Sequence, residues 1–186
     1  AGPYVRAAAA IPPRGRDPHA FQDLRTAPAY AKAIADAVVR LRPGTGVEER
    51  RDDLLRRAAE TDAWVRDQLA AVPPPKRVVL TSHDAFGWFG AAYGVKFLAP
   101  QGVSTESEPS AAEVARLVRQ IRETGVRAVF IESMASPRLV QQLARDTGVQ
   151  PGGTLYSDAL GPPGSLADTW LGMFRHNVPL MVAGMM

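Results

Sequence analysis

An α/β fold built on an open parallel sheet is predicted for this 186-residue chain by two features. After residue 76, short apolar runs alternate strictly with helix-length segments. Helices of that length between short strands force parallel pairing with right-handed crossovers. Ahead of them, residues 47–71 carry a long amphipathic pattern. Leu54, Ala58, Thr61, Val65 and Leu69 recur at three- and four-residue steps, with charge on the opposite face.

Taken in order, residues 4–11 (Tyr-Val-Arg-Ala-Ala-Ala-Ala-Ile) read as a buried strand ended by Pro12-Pro13. Asp17-Pro18 reads as a helix start, with Asp17 as N-cap, Pro18 at the first helical position and His19 in the first turn. Residues 27–40 are alanine-rich and helical in pattern, with Ile34, Val38 and Leu41 on one face and Pro43-Gly44 closing the helix. The helix over 47–71 would span about 37 Å at ~1.5 Å per residue, longer than one small domain requires. Pro73-Pro74-Pro75 stops it. Strands are then predicted at 77–81, 95–99, 127–131 and 154–156, and helices over 84–93, 110–124, 136–147 and 166–183.

Composition narrows the function classes. The net charge of +3 comes almost wholly from arginine, lysine occurring only at positions 32, 76 and 96. No basic stripe with interleaved aromatics is present, which argues against a nucleic-acid partner. With no cysteine there is neither a disulfide framework nor a thiolate metal site. No apolar run approaches the ~18 residues of a membrane span. The start, Ala1-Gly2-Pro3-Tyr4, lacks an initiator methionine, a basic n-region and an apolar h-region, and reads as a processed or cut product without its signal segment.

Open α/β sheets bind ligands beyond the carboxyl ends of their strands. His83, Glu132 and Asp158 all fall just past predicted strand ends, although the chain has only three histidines. Imidazole with carboxylate is a donor set suited to Zn²⁺ or Mn²⁺. Each residue also has a plainer role open to it. His83 beside Asp84, a candidate N-cap, fits a hydrogen bond to the helix start as well as a ligand. Asp158 fits a turn cap before Gly161-Pro162-Pro163-Gly164. Glu132 fits a ligand, a cap for the helix near Ser136, or the role favoured here, orienting a ligand histidine from behind. His19 fits an exposed helix start, and His176 reads as a surface or capping residue. Trp64, Trp88 and Trp170 read as packing. The Gly-x-Ser-x-Gly elbow, the His-Glu-x-x-His pair and the phosphate loop are all missing, so the sequence supports no enzyme class.

The segment Thr81-Ser82-His83-Asp84-Ala85-Phe86-Gly87-Trp88-Phe89 resembles the signature of the zinc/manganese solute-binding proteins of ABC importers. Four further segments resemble the same family in the same order. They are Asp17-Pro18-His19-Ala20-Phe21-Gln22, the loop at 102–111, Val129-Phe130-Ile131-Glu132 and Leu155-Tyr156-Ser157-Asp158-Ala159-Leu160. The resemblance implies two α/β lobes joined by one long helix, with the metal between them. Residues 1–46 would be the remnant of the N-terminal lobe, 47–76 the connecting helix and linker, and 77–186 the C-terminal lobe. It implies metal ligands His19, His83 and Asp158, with a further histidine in a first lobe outside this sequence. The position of His83 is a glutamate in receptors associated with manganese, so histidine there points to zinc; the alternatives are a manganese or iron receptor of the same family, or a non-transport surface or adhesion protein with a vestigial metal site. The implied partners are the zinc ion, an ABC permease and a zinc chaperone. The implied location is periplasmic or extracytoplasmic, with or without a lipid anchor. Loss of most of one lobe would favour a homodimer or a swapped oligomer, and would leave His19 displaced while His83 and Asp158 stay together.

Overall fold

The computed structural model describes residues 4–99, 110–132 and 137–186. The expected loop at 102–109 and the expected helix start near Ser136 lie outside them. Among the described residues, four strands form one parallel sheet, β1 (Val78–Leu80), β2 (Lys96–Leu98), β3 (Ala128–Glu132) and β4 (Gln150–Leu155), in the spatial order β2-β1-β3-β4. Every pairing is parallel. The α/β class therefore holds.

Helices cover both faces. One core joins Val79, Ala128 and Phe130 of the sheet to α2 (Val47–Ala70), α3 (Gly87–Tyr93) and α6 (Trp170–Met185) through Val65, Leu69, Phe89, Phe174 and Met181. The other joins Leu80, Leu98 and Val129 to α4 (Ala111–Thr124) and α5 (Pro137–Thr147) through Leu117, Ile121 and Leu143. Neighbouring strand residues thus serve opposite cores, as the two-residue pleat requires. Ser110 opens α4 with a capping box, its side chain and that of Glu113 exchanging bonds with each other's backbone N–H.

The long helix is continuous from Val47 to Ala70 and buries Ala58, Thr61, Val65 and Leu69 of the expected stripe, with Leu54 half-buried against the same core. Proline ends it, and Pro74–Lys76 form a short 3-10 turn. The helix α1 (Ala27–Leu41) departs from expectation in its facing. It buries Ala27, Ala31 and Ala35, while Ile34 and Leu41 are exposed. The residues it buries are thus all alanine, and the helix lies against α2.

Four other boundaries differ. Residues 4–11 form no strand, and Tyr4 is 85% exposed. A strand needs a neighbour for its backbone groups, and no described strand lies beside this segment. Asp17 starts no α-helix, and two 3-10 turns, Ala20–Gln22 and Leu24–Thr26, precede α1. Asp84 caps nothing, because α3 begins at Gly87 with Phe86 at its N-cap. The last helix begins at Trp170, where Thr169 accepts a bond from Gly172 N at 3.1 Å.

The strand β4 is longer than predicted and includes Pro151-Gly152-Gly153. A Cβ at Gly152 would run into the Phe130 ring. Glycine is there to let that ring lie across the strand rather than to make a turn.

Candidate metal centre

The order β2-β1-β3-β4 places a switch point between β1 and β3, where the chain leaves one strand toward one edge and the other toward the opposite edge. Crevices form beyond the carboxyl ends of such a pair. His83 follows β1 through Thr81-Ser82, Glu132 is the last residue of β3, and Asp158 follows β4. His19 arrives from the other side, at the N-cap of the first 3-10 turn.

The four side chains converge. His83 Nε2 lies 3.0 Å from Asp158 Oδ2, and His19 Nε2 lies 3.1 Å from Asp158 Oδ1. The two imidazole rings meet edge to face with centroids 5.7 Å apart. One donor atom each from His19, His83 and Asp158 falls within a 4.8 Å span. Both histidines are 2% exposed, whereas the Asp158 side chain is 39% exposed and forms the mouth.

Each histidine is backed by its own carboxylate. His19 Nδ1 sits 2.7 Å from Asp17 Oδ1, which also accepts the His19 backbone N–H at 2.9 Å. His83 Nδ1 sits 2.5 Å from Glu132 Oε2, in contact but poorly aligned as a hydrogen bond. Glu132 is completely buried, and its Oε1 accepts from Ser82 Oγ (2.8 Å) and from the His83 backbone N–H (2.9 Å). Glu132 therefore stands behind His83, as favoured from the sequence, and not at the mouth.

These charges set the protonation. For His83, burial works to lower the pKa, but Asp158 and Glu132 outweigh it and push it up to about 9. His19 is also raised, with burial opposed by Asp158 and Asp17. Hydrogen bonds from His19 and then His83 hold the Asp158 carboxyl well below the usual range. Without a cation, the shared Asp158 carboxylate favours the protonated form of both imidazoles. A divalent cation placed between them would replace the Nε2 protons, while the Nδ1 protons stay on the rings, facing Asp17 and Glu132.

His19 is not displaced, contrary to expectation. Besides Asp17 and Asp158, two indoles pin its segment: Trp170 Nε1 donates to Phe21 O at 2.9 Å, and Trp88 Nε1 to Asp17 O at 3.4 Å. Gln22 adds a bond from Nε2 to Ser157 O at 3.3 Å. The tryptophans expected only to pack thus hold the histidine's loop against the sheet. Asp158 is placed in turn by buried Asn177. Its amide accepts from Tyr156 N (3.0 Å) and donates to Tyr156 O (2.7 Å), two residues ahead of the carboxylate. Sequence reading assigned Asn177 nothing and Asp17 only a cap. The spacing Asp17-x-His19 was the available signal for the second. His176 lies apart from the cluster, bonding Thr154 O at 3.0 Å.

The chain is similar to known proteins over nearly its whole length. Residues 4–184 match the family described as zinc-uptake complex component A, periplasmic. The zinc-binding protein TroA of Treponema pallidum is 37% identical over 176 residues, covering 91% of this chain and 57% of that protein. The manganese-binding lipoprotein MntA of Halalkalibacterium halodurans is 30% identical over 174 residues, covering 92% and 58%. A solved structure of the periplasmic zinc-binding protein TroA from Treponema pallidum superposes with a TM-score of 0.89 at 33% identity, covering 97% of this chain and 69% of that one. The chain spans less than three-fifths of the length of these two curated relatives. Within that span, the chain belongs to the family of zinc/manganese solute-binding proteins of ABC importers.

Proposed function

We propose that this chain is an extracytoplasmic receptor that captures a divalent transition metal, zinc foremost, for delivery to an ABC permease. The observation that carries the reading is the convergence of His19, His83 and Asp158 from three distant segments onto one point. In this reading residues 77–186 are the C-terminal lobe, 47–76 the connecting helix and linker, and 1–46 the N-terminal-lobe segment that supplies His19. No helix of the described residues is long and apolar enough to cross a membrane.

Capture requires no bond-making between carbon, nitrogen and oxygen. The two Nε2 atoms and an Asp158 oxygen exchange their protons and mutual contacts for the cation. Three protein donors leave one tetrahedral position for water or another donor. Two imidazoles among three ligands favour zinc over manganese, which prefers oxygen-rich sites. The manganese reading is kept because MntA of Halalkalibacterium halodurans, which matches 92% of this chain, is named for manganese.

Competition titration against a chromophoric chelator at pH 7.5, with zinc and then manganese, tests this. The expected result is one ion per chain, tighter for zinc, with binding lost in His83→Ala. Two remaining donors cannot hold the ion against water. Equal zinc affinity in wild type and His83→Ala would overturn the reading.

A further inference from the structure

The residues behind His19 make a second, separate fit. Asp17 Oδ1 takes both the backbone N–H and the Nδ1 of His19, at 2.9 and 2.7 Å. Its other oxygen, Oδ2, lies 2.8 Å from where a Cβ would stand on Gly87, closer than side-chain carbons pack. Gly87 is not among the positive-φ glycines, so its backbone does not ask for glycine. The space does. The next residue, Trp88, reaches back with Nε1 to Asp17 O. Gly87 and Trp88 open α3, four and five residues after His83. The first turn of that helix is thus shaped to receive the carboxylate behind the other histidine.

We propose that Asp17 is the positioning residue of His19, and that Gly87 is glycine in order to admit the Asp17 carboxylate. The proposal rests on the reading of His19 as a metal ligand. Asp17 accepts a hydrogen bond from Nδ1–H and so turns Nε2 toward Asp158 and His83. Because Asp17 is seated in the helix that follows His83, one histidine cannot shift without the other's helix registering it. The two imidazoles, 64 positions apart in the chain, are set as a pair. Carboxylates behind ligand histidines typically change metal affinity 10–100-fold.

The test is zinc competition titration on His19→Ala, Asp17→Ala, Asp17→Asn, Gly87→Ala and the double variant Asp17→Ala/Gly87→Ala. Melting of each metal-free protein and the visible absorption of each Co²⁺ complex are recorded alongside. The expected result is a loss of about 10–100-fold in Asp17→Ala with altered cobalt bands. Asp17→Asn, which keeps an acceptor oxygen, restores the band positions with a smaller loss. Gly87→Ala weakens zinc binding on its own and adds nothing in the Asp17→Ala background. If Asp17→Ala lowers only the melting temperature and leaves affinity and bands unchanged while His19→Ala abolishes binding, Asp17 is a structural residue and the proposal fails. Additive losses for Asp17→Ala and Gly87→Ala overturn the fit between them. Unchanged affinity in His19→Ala removes the ligand reading, and this proposal falls with it for that separate reason.

Discussion

Replacing Glu132 by glutamine should cost metal affinity without a change of shape. All the neighbours of this buried carboxylate present donors to it. Oε1 receives Ser82 Oγ at 2.8 Å and His83 N at 2.9 Å, and Oε2 faces His83 Nδ1 at 2.5 Å. Glutamine has one acceptor oxygen and one NH₂ group. In one orientation the NH₂ meets the Nδ1 proton, and in the other it meets the backbone N–H and the serine. The first orientation is relieved only if the Nδ1 proton moves to Nε2, the atom that must face the cation. Leaving one buried donor unsatisfied costs about 1–3 kcal/mol. That range agrees with the 10–100-fold effects typical of groups behind a ligand, since tenfold is about 1.4 kcal/mol. The assay is zinc competition titration at pH 7.5, with melting and circular dichroism of the metal-free variant as folding controls. A zinc Kd within twofold of wild type, in a folded protein, would refute the claim that Glu132 fixes the His83 tautomer.

Leu69→Ala on α2, where the leucine is buried in the core shared with α6, should destabilise the protein by about 2–5 kcal/mol in denaturant unfolding. Loss of less than 1 kcal/mol would mean that the helix is not packed on the sheet layer. Asn177→Ala strands the Tyr156 N–H and carbonyl, and should cost about 1–3 kcal/mol while weakening zinc binding through Asp158. An unchanged zinc Kd would show that Asp158 holds its place without that clamp.

The remaining prediction is a pH dependence. The His83 pKa is raised from 6.5 to about 9, so its contribution to metal-free stability is complete below pH 6.5 and lost as pH rises through about 9. The Asp158 pKa is lowered from 3.8, so its contribution is complete above that value and lost as pH falls through its folded pKa. Melting in the presence of a chelator should therefore be highest between these limits and fall on the alkaline side, with a shallower fall in His83→Ala. Stabilisation by zinc should run the opposite way, growing with pH as protons leave Nε2. Parallel pH profiles with and without zinc would contradict the proton exchange.

The parts of this molecule that were legible in its sequence share a cause: local pattern and tertiary role coincide there. The short apolar strands had nowhere to pair but in parallel, and residues just past their ends had nowhere to point but into the crevice. The positions of His83 and Asp158 were legible that way, while Glu132 ends β3 and stands behind His83. The long helix was legible because charge and apolar side chains separate cleanly around it. The misreadings arose where a distant contact decides. Residues 4–11 satisfy a strand's composition, but no strand lies beside them. In α1 the larger apolar residues Ile34 and Leu41 set the expected face, although the residues it buries are alanines. The strand predicted at 154–156 was too short because what lets Pro151-Gly152-Gly153 join it, the Phe130 ring that fills the space beside Gly152, lies on another strand. Asn177 acts on Tyr156 across 21 positions, and Asp17 acts through a gap at Gly87. Neither leaves a mark in the local spacing beyond the two-residue step from Asp17 to His19.

The central claim is that one cation is held by His19, His83 and Asp158 together. X-ray absorption at the zinc edge of the loaded protein, compared with His19→Ala and His83→Ala, tests it most directly. The account predicts a nitrogen/oxygen shell at ~2.0–2.2 Å with the outer-shell scattering of two imidazoles, and loss of that imidazole scattering together with the bound ion in each variant. An edge spectrum with no imidazole scattering, or one unchanged by either substitution, would contradict it.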